Sequence, residues 1–185
     1  MAKARGAPEN QVERLEQTIF FDGVYDANNQ RLDVQTIFDT NEVVGILWMG
    51  WTDMRSLEIR DKIIEHYNLL KSQNARFELI FVSGDETLDD YNEHVKIYPC
   101  PRVPYNPSIP LAISRNFYAF APPRILLFDS NGQLFTKEGD GMLLRFPEKF
   151  PWKHHIVNLN QLFLLVCVIA LLLGGLYYFL LHVSI

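Results

Sequence analysis

The sequence predicts an α/β domain, a three-layer α/β/α sandwich around a mixed sheet, followed by one membrane-spanning helix near its carboxyl end. Three observations predict it. Residues 43–49, 77–82 and 125–128 are short, nearly unbroken apolar runs, the pattern of strands buried on both faces. Segments with helical apolar spacing separate them, and that alternation gives a layered α/β domain. Finally, residues 162–181 carry no charge. At about 1.5 Å per residue, a helix of that length reaches about 30 Å, enough to cross the hydrocarbon of a bilayer.

The chain then divides into an amino-terminal extension at 1–17, a domain at 18–152, a juxtamembrane linker at 153–161, the membrane helix at 162–181 and a short tail at 182–185. Within the domain, the apolar run 18–24 reads as a strand, Asp26-Ala27-Asn28-Asn29 as a turn, and 31–38 as a short return element. Val43 to Met49 follows as a buried strand. Asp53 is placed to cap a long helix in which Leu57, Ile59, Ile63, Ile64, Tyr67, Leu69 and Leu70 recur at largely helical spacing. The second buried strand, 77–82, leads to a shorter helix at 85–96 opened by acids, which favour a helix amino end. Five prolines crowd the loop from Pro99 to Pro110, a helix follows at about 111–118, and Pro122-Pro123 ends it. After the third buried strand, Ser130-Asn131-Gly132-Gln133 signals a hairpin into 134–136, and 141–148 is a last helix or irregular segment.

Charge and cysteine content narrow the function. No Asp, Glu, Lys or Arg lies beyond Lys153, so the net charge of −5 belongs to the amino-terminal part. An acidic domain has no electrostatic pull toward nucleic acid. Gly139 and Gly141 lack any phosphate-loop pattern, which argues against a nucleotide. The adjacent His154 and His155 precede the membrane helix and read as headgroup-level residues, so neither a metal nor another cofactor is expected. The two cysteines are Cys100 and Cys167, the second inside the apolar tail. An intrachain disulfide is not expected, which suits a reducing compartment. The amino terminus lacks the apolar core of a secretory signal. Lys149 and Lys153 flank the apolar tail on its domain side, which places the domain toward the cytosol or a mitochondrial matrix. The membrane itself stays open between mitochondrial and endoplasmic reticulum. Cys167, Ala170 and Gly174 make a small-residue stripe on the tail helix, a candidate contact with other membrane-protein subunits.

Several motifs occur in a shared order: Phe81-Val82-Ser83 with Asp85, Tyr98-Pro99, Val103-Pro104-Tyr105, Pro122-Pro123 before a strand ending in Asp129, Gly132, and Phe150-Pro151-Trp152. In that order and spacing the chain resembles the thioredoxin-like family, and within it the tryparedoxin and nucleoredoxin branch. The resemblance implies a Trp-Cys-Pro-Pro-Cys element at the start of the long helix. Counting back from Glu65-His66-Tyr67, its two cysteine positions fall on Asp53 and Ser56, with Met54-Arg55 between them. Exchange needs a thiolate, which the family activates at a helix amino terminus. A carboxylate and a hydroxyl do not replace it, so no enzyme activity is expected. The resemblance also makes Pro123 the counterpart of a proline held cis beside the active site; the residues alone leave cis and trans open. With Pro122, Trp51, Met54 and Arg55, it would border a peptide-sized groove that has lost its reactive atoms.

Three functions remain in view. One is a membrane-anchored, catalytically silent module acting by protein binding, an accessory subunit or assembly factor of a membrane complex. Another is a membrane-tethered oxidoreductase working through the single Cys100 with an external thiol. A tethered peptide-holding chaperone would share the groove of the first.

Overall fold

The computed structural model describes residues 10–51 and 53–152. The expected membrane helix, its flanks and the stripe of Cys167, Ala170 and Gly174 lie outside the described residues. Among the described residues no helix is long and apolar enough to cross a membrane.

The elements in chain order are α1 (Gln11–Thr18), β1 (Val24–Tyr25), β2 (Arg31–Leu32), α2 (Val34–Thr40), β3 (Val43–Met49), α3 (Met54–Ser72), β4 (Phe77–Ser83), α4 (Leu88–His94), α5 (Ile109–Phe117), β5 (Arg124–Asp129), β6 (Leu134–Thr136) and α6 (Gly139–Arg145). Four strands form a mixed sheet in the order β4-β3-β5-β6, with β3 parallel to β4 and antiparallel to β5. Beyond β4, Arg102 pairs with Phe81 on one side and Tyr25 on the other. Arg102 exchanges both backbone bonds with Tyr25 while its neighbours Pro101 and Val103 bond Phe81, and so this short segment ties the β1–β2 hairpin to the sheet.

Side chains alternate across a strand, so an unbroken apolar run supplies two cores. Val44, Ile46, Trp48, Ile80, Val82, Leu126 and Phe128 join Val12 and Leu15 of α1, Ile37 and Phe38 of α2, and Ile109 and Ile113 of α5 in one cluster. The intervening residues, including Leu47, Leu79, Phe81 and Leu127, are also buried, as are Ile63, Tyr67 and Leu70 of α3 and Leu143 of α6. Gly45 shows how tightly this second face is filled, since a methyl group there would lie 2.5 Å from Leu79 Cδ2. His66 Nδ1 lies 2.8 Å from the carbonyl oxygen of Leu143, joining α3 to α6.

Three expectations need correction. Residues 18–24 are the end of α1 and a turn, with only Val24 entering a strand. Asn10 caps α1 by accepting from the Glu13 N–H at 2.7 Å, and the helix turns Val12 and Leu15 into the core, so the packed domain begins before residue 18. The second correction concerns α3: Leu57 and Leu69 are exposed, and the buried stripe runs through Ser56, Ile63, Tyr67 and Leu70. Third, the helix expected at 85–96 begins at Leu88, because the Thr87 hydroxyl takes the capping bond from Asp90 N–H. Asp85 is left to a different role.

Candidate functional site

The carboxyl ends of β3 and β4 meet the amino end of α3 and the Pro122-Pro123 corner. Gly84 N–H donates to the Met49 carbonyl at 2.6 Å and holds the two strand ends together. Gly84 has no room for a side chain, as a Cβ would sit 2.9 Å from Trp48 Nε1 and 3.3 Å from Pro122 Cγ. The Pro122-Pro123 bond is cis, which resolves the choice the residues left open.

Asp53 is the cap of α3. Its Oδ2 accepts the Ser56 N–H at 2.9 Å and the Ser56 hydroxyl at 2.7 Å. The two side chains therefore satisfy each other and one of the free N–H groups that every helix start exposes. Ser56 is buried, and its hydroxyl is committed to the Asp53 carboxylate that caps the helix. Neither the cap nor α3 contains a thiol.

Of the remaining expected groove residues, Trp51 is half-buried, Arg55 is exposed and Met54 is 69% exposed. Pro122 is half-buried beside Gly84, whereas Pro123 is buried. The segment leading to this corner adds two aromatic side chains that the sequence reading did not single out: Tyr118 is 70% exposed and Phe120 is 78% exposed. Tyr118 ends α5 in the left-handed conformation, with φ of 53°. A large side chain there is uncommon and turns the chain sharply out of the helix. The signal available in the sequence was Phe117 to Phe120 placed just before two prolines.

A second group lies beneath the site. Asp85, expected as one of the acids that open the helix at 85–96, is buried instead. Its Oδ1 accepts the Trp51 N–H, while Oδ2 accepts the Ser83 hydroxyl at 2.7 Å and lies 3.0 Å from His94 Nδ1. Burial alone would push this carboxyl up. The hydrogen bonds from His94, Ser83 and Trp51 N–H, with the charge of His94, outweigh it and hold the group below the usual carboxylate value. The His94 ring also meets Trp51 edge-on, with centroids 5.5 Å apart. Ser83, Asp85 and His94 have the residue types of a nucleophilic triad, but the order of bonds forbids it. Ser83 donates to the carboxylate rather than to the imidazole, so the serine–histidine bond on which a triad depends is missing.

Cys100 stands apart from both groups. It is buried, and burial pushes its thiol up to about 12, with the nearby Glu78 carboxylate adding to the effect. Its neighbours Pro101 and Arg102 pair along β4 through Phe81. A thiol so protonated and enclosed lacks the thiolate fraction and access that exchange demands.

A Thioredoxin-like family model matches residues 41–134, half of the chain. The chain belongs to the thioredoxin-like family. Its relatives place it in the tryparedoxin and nucleoredoxin branch, as the motif order implied. It is 27% identical over 93 residues to a nucleoredoxin of Danio rerio, covering 49% of this chain and 22% of that protein. With a nucleoredoxin of Xenopus laevis it shares 23% identity over 139 residues, 73% of this chain and 33% of the other. The chain thus spans between a fifth and a third of the length of these relatives. Tryparedoxin II from Crithidia fasciculata superposes with a TM-score of 0.67 at 16% identity, covering 77% of this chain and 95% of that one. Tryparedoxin from Trypanosoma brucei gives 0.64 at 14%, over 75% and 96%. At such identities the structural likeness speaks to the fold, and the thioredoxin-like site is read from its own residues.

Proposed function

We propose that this protein is a membrane-anchored thioredoxin-like module that acts by binding protein segments rather than by thiol exchange, as an accessory subunit or assembly factor of a membrane complex. The observation that carries the reading is the mutual hydrogen bonding of Asp53 and Ser56 at the start of α3, where the family's reaction centre would need two sulfurs. The exposed Met54 at the start of α3, and Tyr118 and Phe120 shortly before Pro122, supply apolar contact area for a partner chain. The uncharged run 162–181 and the lysines on its domain side support anchoring in a mitochondrial or endoplasmic reticulum membrane with the domain on the matrix or cytosolic face.

The competing reading, an oxidoreductase using Cys100, is disfavoured by the raised pKa and burial of that thiol. Purified full-length protein in a mild detergent separates the two. Insulin reduction with dithiothreitol is expected to run at the rate of dithiothreitol alone, and a photo-crosslinking residue at position 120 is expected to capture one partner in detergent-solubilised membranes. Turnover that disappears in Cys100→Ser would overturn the binding reading.

A further inference from the structure

A second concavity lies on the far side of the Arg102 backbone bridge, at the outer end of the sheet. It encloses about 460 Å³ and is lined by Tyr25, Leu88, Tyr91, Arg102, Pro104 and Tyr105, with Asn29 at its rim. That volume falls within the usual range for small-molecule sites.

Its walls are held with their apolar parts available. The Tyr91 hydroxyl donates to the Val103 carbonyl at 3.0 Å and the Tyr105 hydroxyl to the Glu86 carbonyl at 2.7 Å. Their rings stand 5.8 Å apart at 47°, each fixed by a backbone acceptor. Arg102 is the cation of the pocket. Its backbone is locked between Tyr25 and Phe81, its Nη2 donates to Asn29 Oδ1 at 2.6 Å, and its guanidinium also interacts with the Tyr91 hydroxyl, which leaves further N–H donors free. Among the described residues no carboxylate pairs with it: the ion pairs present use Arg60, Lys71, His94 and Lys96. Asp26, next to Tyr25 in sequence, does not line the pocket, and its Oδ1 accepts the N–H groups of Asn28 and Gln30. A half-buried guanidinium with donors to spare in a tyrosine-lined pocket is complementary to a planar anion.

We propose that this pocket binds a small aromatic carboxylate, with the carboxylate on the Arg102 guanidinium and the ring against Tyr25, Tyr91 and Tyr105. One guanidinium without a second cation matches the single charge and forked geometry of a carboxylate. The site is separate from the α3 cap and does not depend on the binding role proposed for the groove.

The test uses the full-length protein, nitrogen-15 labelled in detergent micelles, titrated with phenylacetate and with its neutral counterpart phenylacetamide. Phenylacetate is expected to shift the amide signals of Tyr25, Leu88, Arg102 and Tyr105 saturably, with a dissociation constant on the order of 1 mM for so small a probe. Phenylacetamide and the Arg102→Met variant are each expected to bind at least tenfold more weakly. Leu88 is 54% exposed at the pocket rim, so charges placed there leave the core alone. Leu88→Glu should weaken phenylacetate and Leu88→Lys should tighten it, which keeps the test decisive if Arg102→Met fails to fold. Equal response to the acid and the amide, equal loss in both Leu88 variants, or no saturable shift at these amides would overturn the proposal.

Discussion

The cap of α3 and the network beneath it contain the same chemical group in two different environments. Asp53 is half-exposed and answers only to Ser56, whereas Asp85 is buried and answers to Trp51, Ser83 and His94 from three separate stretches of chain. The difference teaches that this thioredoxin-like scaffold is held more firmly by the buried network than by the cap of α3. Losing a cap costs about 1 kcal/mol. Removing one partner from a buried, hydrogen-bonded pair costs about 3–5 kcal/mol, because the other partner stays desolvated and alone. Asp85→Ala is therefore expected to lower unfolding free energy by that larger amount in urea melts. A loss no greater than that of Asp53→Ala would erase the distinction.

The same comparison has a pH dependence with a definite sign. The Asp85 carboxyl is held below its ordinary value in the folded chain, so its contribution to stability is complete above the unfolded-state pKa of about 3.9. It is lost as pH falls through the lower, folded-state pKa, because protonation then removes the acceptor that the three donors share. Acid melts of the wild-type protein and Asp85→Asn should converge as pH drops below about 4, the variant being weaker at neutral pH and less sensitive to acid. A constant difference between the two down to pH 2 would show that the network does not titrate with folding.

The contrast also marks what the sequence could reveal. Strands β3, β4 and β5 were legible to within a residue or two because both faces of the sheet are covered, and burial on two sides leaves an unbroken apolar run. The Asp53 cap was legible because capping is decided within four residues. In contrast, α1 was missed: its sequence is mostly polar, and only Val12 and Leu15 are buried, too few to set a period. Asp85 was misread for a different reason. Its bond with Ser83 is local, but its burial also needs His94, nine residues on, and Trp51, thirty-four back, which the spacing of Asp85, Glu86, Asp89 and Asp90 does not show. Tertiary partners of that kind leave no period and no spacing to count.

At the cap itself, Asp53→Ala is expected to cost about 1 kcal/mol, measured by the same melts. Cys100 supplies a finer check on where reactivity has gone. Since its thiol is enclosed and pushed up to about 12, a thiol-specific reagent should label it in the native protein far more slowly than in denaturant. Rapid native labelling that can be assigned to Cys100 rather than Cys167 would break the picture of an inert core thiol.

The smallest change in stability should come from the most informative substitution, Asp53→Cys with Ser56→Cys. The native side chains already touch, Oδ2 to Oγ at 2.7 Å, so both project to the same side of the first turn, the placement that a disulfide between them requires. The first would stand at a helix amino terminus, where the unpaired N–H groups and the dipole favour a thiolate. The lost cap costs about 1 kcal/mol and the short disulfide loop offsets it with up to about 2 kcal/mol, so the unfolding free energy should move by about 1 kcal/mol or less. If the scaffold lacks only the sulfur atoms, this variant forms a reducible disulfide and gains insulin-reducing activity that the wild-type chain does not show. If the disulfide forms and no activity follows, the groove beside Pro122 and Pro123 has also diverged, and binding would have to be read from Met54, Tyr118 and Phe120 rather than from the family's substrate site.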